Sequence, residues 1–195
     1  MSGLQGRACL VALAVLFISS CATRAALVSS GDLKEVRAFD ISGKISVKQG
    51  KSANFAGLRW HHAIPDHDIT IISPLGQTVA RVVQNVDGVT LNTSDKAQYH
   101  ASDADSLMQQ VLGWSLPLTG MQYWVLGRVA PGDPAEVVNS DDRRITRIKQ
   151  DDWQIDYANY RSVGNGELPG RIVMQHGDVQ IRVVIDSWTV PPGRP

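Results

Sequence analysis

The chain is 195 residues long and carries 19 Lys+Arg against 19 Asp+Glu, a formal net charge of zero. That balance lacks the basic footprint of a nucleic-acid binder, and the length suits one domain whose core needs no covalent staples. The cysteines are Cys9 and Cys21, so the chain beyond residue 21 has none for a disulfide or a thiolate zinc site.

The first segment reads as a targeting signal. Arg7 precedes an apolar run from Ala8 to Ile18, and Ser19, Ser20 and Cys21 follow. This is the order of a secretory signal peptide, and the run falls short of the ~20 apolar residues that span a bilayer. The segment Ile18-Ser19-Ser20-Cys21 resembles the lipobox of bacterial lipoproteins, with Ile18 where Leu is usual and Ser20 where Gly or Ala is usual. The resemblance implies cleavage before Cys21, a diacylglyceryl group on its thiol and acylation of its new amine. Residues 1–20 are then the signal peptide and residues 21–31 a lipidated tether. Loss of residues 1–20 takes only Arg7 from the charge count, which leaves 18 cationic against 19 acidic side chains. Ala22 stands where Asp would retain a lipoprotein in the inner membrane under the enterobacterial rule, so the outer membrane is the expected address.

Residues 32–190 form the expected folded body. After a short helical turn expected at Asp32 to Arg37, a two-residue period begins. Phe39, Ile41, Gly43, Ile45 and Val47 fall on one face, and Asp40, Ser42, Lys44, Ser46 and Lys48 on the other, which predicts a half-buried strand. Gln49-Gly50-Lys51 is a turn. Further strands are predicted at Ala53 to His61, with Ala56, Leu58 and Trp60 on one face, and at Asp68 to Ser73. Pro74-Leu75-Gly76 breaks the pattern. Strands return around Val79 to Val83 and Val89 to Asn92, joined by the hairpin signal Asp87-Gly88.

The middle of the chain changes period. Ser102 is placed to cap a helix over Asp103 to Leu112, with Asp103 and Asp105 in its first turn and Gly113 at its end. Leu107, Val111 and Leu112 make its apolar stripe. Leu116-Pro117-Leu118 is a break, and a second short helix is expected over Gly120 to Leu126. Strands resume near Glu136, then at Ile145 to Lys149, Trp153 to Tyr157, Arg171 to Gln175 and Val179 to Asp186, and Pro191-Pro192 ends the pairing. The sum is about ten strands at hairpin spacing with two or three short helices inserted. That predicts a mainly β protein: one curved antiparallel sheet, an incomplete barrel, with the helices on its concave face. Residues 191–195 are a tail.

No nucleophile elbow, phosphate loop or dinucleotide motif is present, and no catalytic residue, metal site or cofactor is expected. Adjacent His61 and His62, with His67 nearby, read as a polar turn between strands; on a regular strand the pair would face opposite ways. Asp151-Asp152 reads as a turn rather than an acid/base pair. The five tryptophans, Trp60, Trp114, Trp124, Trp153 and Trp188, either fill the interior or line an apolar cavity. Periodicity alone does not separate a filled barrel from a hollow one.

Gly43-Lys44-Ile45, Trp60, Ser73-Pro74-Leu75-Gly76, Leu116-Pro117-Leu118, Tyr123-Trp124-Val125-Leu126-Gly127, Trp153-Gln154-Ile155-Asp156-Tyr157 with Tyr160, Leu168-Pro169 and Asp186-Ser187-Trp188 occur in this order over residues 39–188. With the preceding lipobox, this ordered set resembles the LolB family of outer-membrane lipoprotein receptors. The resemblance implies an incomplete barrel with a helical lid and an acyl-binding cavity. It implies acceptance of lipoproteins from the periplasmic carrier LolA and their insertion into the outer membrane. It also implies a protruding loop with an exposed leucine that acts in insertion, here Pro74, Leu75 and Gly76. The inward apolar face, with Leu58, Trp60, Ile71, Trp124, Ile155 and Tyr157, is the expected acyl-binding surface. Partners are then LolA, lipoprotein acyl chains and the outer membrane through Cys21, with the protein itself a monomer. The competing readings are a structural or assembly lipoprotein with a filled barrel, and an envelope hydrolase.

Overall fold

The computed structural model describes residues 36–112 and 118–191. Cys21, the tether, Trp114, Gly113, the start of the Leu116-Pro117-Leu118 break and the tail after Pro191 lie outside the described residues. Among the described residues thirteen strands and two helices follow one another. The first half holds β1 (Ala38–Gln49), β2 (Ser52–Ala63), β3 (Asp66–Ile72), β4 (Thr78–Asn85), β5 (Gly88–Thr93) and β6 (Gln98–Ala101). Then come α1 (Ala104–Leu112) and α2 (Leu118–Trp124). The second half holds β7 (Glu136–Asn139), β8 (Ile145–Gln150), β9 (Trp153–Ala158), β10 (Arg161–Val163), β11 (Gly166–Leu168), β12 (Arg171–His176) and β13 (Val179–Thr189).

Eleven strands make one antiparallel sheet in the order β6-β5-β4-β3-β2-β1-β13-β12-β9-β8-β7. The edges β6 and β7 do not pair, so the barrel is incomplete, as the strand spacing predicted. β10 and β11 form a separate hairpin, which the sequence reading did not anticipate. The first and last strands meet at the centre, Ile45 opposite Val183 and Val47 opposite Ile181. The two helices therefore run from one free edge of the sheet to the other. They close over the apolar face because the chain must cross from β6 to β7.

The inward side chains align across strands, since in-register residues share a face. Ile41 pairs with Trp60, Trp60 with Ile69, Ile69 with Val82 and Val82 with Leu91. On the other side Val183 pairs with Ile172, and Ile172 with Tyr157. Phe39 and Ile185 are fully buried, and Phe39 meets Trp60 edge-on with centroids 5.2 Å apart. Such pairs contribute about 0.5–1.5 kcal/mol beyond their buried area.

Gly43 marks an irregular point. The register of β1 on β13 shifts between Ser42, opposite Ser187, and Gly43, opposite Ile185, so Asp186 is the extra residue of a bulge. A Cβ at position 43 would sit 2.1 Å from the Val184 carbonyl oxygen. Only glycine lets the two central strands approach this closely.

Three local expectations are corrected. His61 and His62 lie within β2, and the turn falls at Ile64-Pro65 instead. The phase Leu58, Trp60, His62 carries His62 into the interior. The cap of α1 is Asp103 rather than Ser102: Asp103 Oδ1 accepts the Ser106 backbone N–H at 2.8 Å, and Ser102 Oγ donates to the Asp103 carboxylate. A carboxylate outcompetes a hydroxyl there because it also complements the helix dipole. Asp151 and Asp152 form a turn, both at positive φ, and α2 begins two residues before the predicted Gly120.

Candidate functional site: an apolar cavity under two helices

Between the first half of the sheet and the helices lies a cavity of about 260 Å³. Its floor comes from β1 to β5, with β12 and β13 at one side. Its roof is Met108 and Val111 of α1 with Leu118 and Met121 of α2. Among its lining residues Thr93 alone carries a hydroxyl. An apolar space of this kind holds no partners for water and is suited to hydrocarbon.

Three of the six residues expected at an acyl-binding surface line this space: Leu58, Trp60 and Ile71. Trp124, Ile155 and Tyr157 do not. They are buried in the other half of the interior, with Trp124 and Ile155 fully enclosed. There α2 is seated directly on the sheet. Trp124 and Trp153 lie 6.2 Å apart, and Trp153 stacks on His176 at 5.3 Å. The aromatic volume of Trp124 and Trp153 fills this end and leaves the β1–β5 end hollow.

Gln150 fixes that seat. Its Oε1 accepts the Trp124 indole N–H at 3.0 Å and the Ala130 backbone N–H at 2.9 Å. Its amide donates to the carbonyls of Ala130 at 2.8 Å and Asp133 at 2.9 Å. Sequence reasoning missed Gln150. The signal was its place on the inward phase of β8, two residues after Ile148, where an amide needs a dedicated set of partners.

A second polar group lies behind Trp60, outside the cavity lining. His62 and His67 face each other across β2 and β3 and stack at 4.4 Å. Trp60 Nε1–H donates to His67 Nδ1 at 3.2 Å, so that nitrogen carries no proton. Burial, and secondarily the neighbouring His62, pushes the His67 pKa down to about 4. Burial also lowers the His62 pKa. These are neutral core imidazoles, and among the described residues no group of three His, Cys, Asp or Glu side chains could hold a metal ion.

The Pro74-Leu75-Gly76 segment is the tip of the β3–β4 hairpin. Ser73 N–H donates to the Gln77 carbonyl at 2.8 Å and Gly76 N–H to the Ser73 carbonyl at 2.9 Å. Gly76 adopts φ 82°, which closes the turn without a Cβ penalty. Leu75 projects from it 88% exposed. On general grounds a lone loop leucine is as easily folded back; here it has no core partner.

The fold and the cavity define a class: an open antiparallel half-barrel with a helical cover over a dry interior. Solved structures of this shape include a LolA-superfamily protein from Nitrosomonas europaea, with TM-score 0.51 and 10% identity over 80% of this chain and 87% of that one. A DUF1329-family protein from Desulfovibrio piger has TM-score 0.55 and 6% identity over 84% and 89%. At such identities the likeness concerns the fold alone. Sequence comparison goes further. Residues 37–188 match the family described as "Outer membrane lipoprotein LolB". An outer-membrane lipoprotein LolB of Nitrosomonas europaea is 39% identical over 152 residues, 77% of this chain and 72% of that one. One from Azoarcus sp. (strain BH72) is 32% identical over 182 residues, 93% and 94% of the two chains. The chain belongs to the LolB family of outer-membrane lipoproteins.

Proposed function

We infer that this chain is an outer-membrane lipoprotein receptor, anchored through Cys21 with residues 21–31 as its tether. It accepts lipoproteins from the periplasmic carrier LolA and releases them into the inner leaflet of the outer membrane. The observation that carries the reading is the dry cavity beneath two helices in a member of this family. Acyl chains crossing water need a concave apolar surface that hides them. Release needs binding that is weaker than the bilayer's. Transfer then runs downhill in affinity and requires no nucleophile, metal or energy source.

The cavity of about 260 Å³ is below the roughly 300–1,000 Å³ of pockets that hold drug-sized ligands. Acylated cargo is larger than that, so the roof must move for cargo to enter. The two helices support this differently. α1 rests against β5 and β6, whereas α2 is pinned to β8 and β9 through Trp124 and Gln150. Lifting α1 away from Leu58, Trp60 and Ile71 enlarges the hollow end without disturbing the filled one.

The test is uptake of a fluorescent apolar probe. A receptor with an acyl site takes it up saturably and loses it to a synthetic lipopeptide. A filled structural barrel does neither, and that result would overturn the reading.

A further inference from the structure

We propose that the convex face beside the Leu75 loop is a second membrane contact, in which Phe55 enters the lipid interface while Lys44 and Arg182 hold lipid phosphates. The proposal deepens the delivery reading and rests on it. Phe55 stands on β2, 71% exposed, on the face opposite the cavity. Its cross-strand neighbour is Ser46, and Ser46 in turn faces Arg182. One row further along, Lys44 lies between Gly57 and Val184. Gly57 has no side chain, which leaves a depression bounded by Phe55, Pro74, Lys44 and Arg182. An exposed aromatic ring, the base of the Leu75 loop and two cations thus share one shallow surface.

Charge selects the occupant. Of the carboxylates on this face, Asp68 pairs with Arg81 and Asp156 with Arg147, Asp40 hydrogen-bonds His61, and Asp186 lies at the β1–β13 bulge outside the depression. Lys44, Lys48 and Arg182 are in no ion pair among the described residues. Unpaired cations around an exposed apolar side chain suit the interface of a bilayer, where the ring meets the acyl boundary and the cations meet anionic phosphates. A protein partner offering a matching anionic groove would leave Leu75 in water.

Depth of insertion tests this. Phe55→Cys, Leu75→Cys and Val86→Cys are each made in the full chain, labelled with an environment-sensitive fluorophore and reconstituted in phosphatidylethanolamine–phosphatidylglycerol vesicles. Unsubstituted protein labelled in parallel supplies the background. Val86 is 83% exposed in the β4–β5 turn, at the end of β4 far from the Leu75 loop, and it serves as the control that stays in water. The expected result is a blue shift and quenching by quencher-bearing lipids at positions 55 and 75, and neither at 86. Adding Lys44→Glu with Arg182→Glu to Phe55→Cys lowers that quenching on the order of tenfold or more, and phosphatidylcholine vesicles abolish the difference. If position 75 buries while 55 stays as wet as 86, the second contact is wrong and the delivery reading stands. If neither buries, both fall. Quenching at 55 that ignores the double charge reversal overturns the phosphate assignment.

Discussion

Trp124 and Gln150 are joined across the boundary between helix and sheet, the indole N–H donating to the amide oxygen at 3.0 Å. Twenty-six residues of chain separate them, and the bond divides the interior into a filled end and a hollow one. Gln150→Leu keeps the volume and leaves Trp124 Nε1, the Ala130 N–H and the Ala130 and Asp133 carbonyls without their partner. Each buried orphan costs about 1–3 kcal/mol, and relaxation toward water recovers part of the sum. A loss of about 3 kcal/mol in urea unfolding is the predicted outcome. A loss under about 0.5 kcal/mol, the range of an ordinary surface change, would show that the seat is not held this way.

The hollow end is tested by filling it. Ala80 lines the cavity, and Ala80→Phe places a ring in the free space. Probe uptake should fall severalfold while stability stays within about 1.5 kcal/mol, because the added volume meets a void rather than packed atoms. Ile155→Val, in the filled end, should cost about 0.5–1.5 kcal/mol and leave uptake unchanged. Equal effects of the two on uptake would contradict the division.

Gly43→Ala is predicted to be severe for its size. The added methyl meets the Val184 carbonyl oxygen at 2.1 Å, and both partners are central strands that cannot part without opening the sheet. A cost of about 3 kcal/mol is expected, read as a lower midpoint in thermal unfolding. A midpoint equal to the wild type would show that the β1–β13 bulge is adjustable.

Much of this was legible beforehand. The alternation of Phe39, Ile41, Ile45 and Val47 declared β1, and Asp87-Gly88 declared the β4–β5 hairpin, because strand phase and turn chemistry are local properties. The hollow was less legible. Leu58, Trp60 and Ile71 share their phase rule with Ile155 and Tyr157, yet only the first three border space. Which end is empty depends on where Trp124 and Trp153 put their bulk, and that is a tertiary fact. The buried histidine was readable from phase, since His62 continues Leu58 and Trp60, but polarity suggested a turn. β10 and β11, three residues each, are too short for any alternation.

The buried imidazoles give a pH dependence with a definite sign. His67 has a folded pKa of about 4 against an ordinary 6.5, so the unfolded chain binds a proton that the folded chain refuses. The neutral ring's contribution is full above pH 6.5 and is lost as pH falls from 6.5 toward 4. At most about 3 kcal/mol is involved. Urea unfolding of the wild type and of His67→Leu across that window checks it. The wild type should lose more stability on acidification than the variant; parallel curves would show that His67 does not carry the pH dependence.

In the proposed function, cargo held in the cavity is passed to the bilayer at the Leu75 loop. Liposome transfer with Leu75→Glu tests it most directly. Because Leu75 is 88% exposed, the substitution should change stability by no more than about 0.5 kcal/mol, and loading from the carrier should be intact. Burial of a leucine in hydrocarbon contributes about 1.5–3 kcal/mol, so delivery of preloaded lipoprotein should fall at least about tenfold. Delivery at the wild-type rate by the loaded, folded variant would contradict the claim.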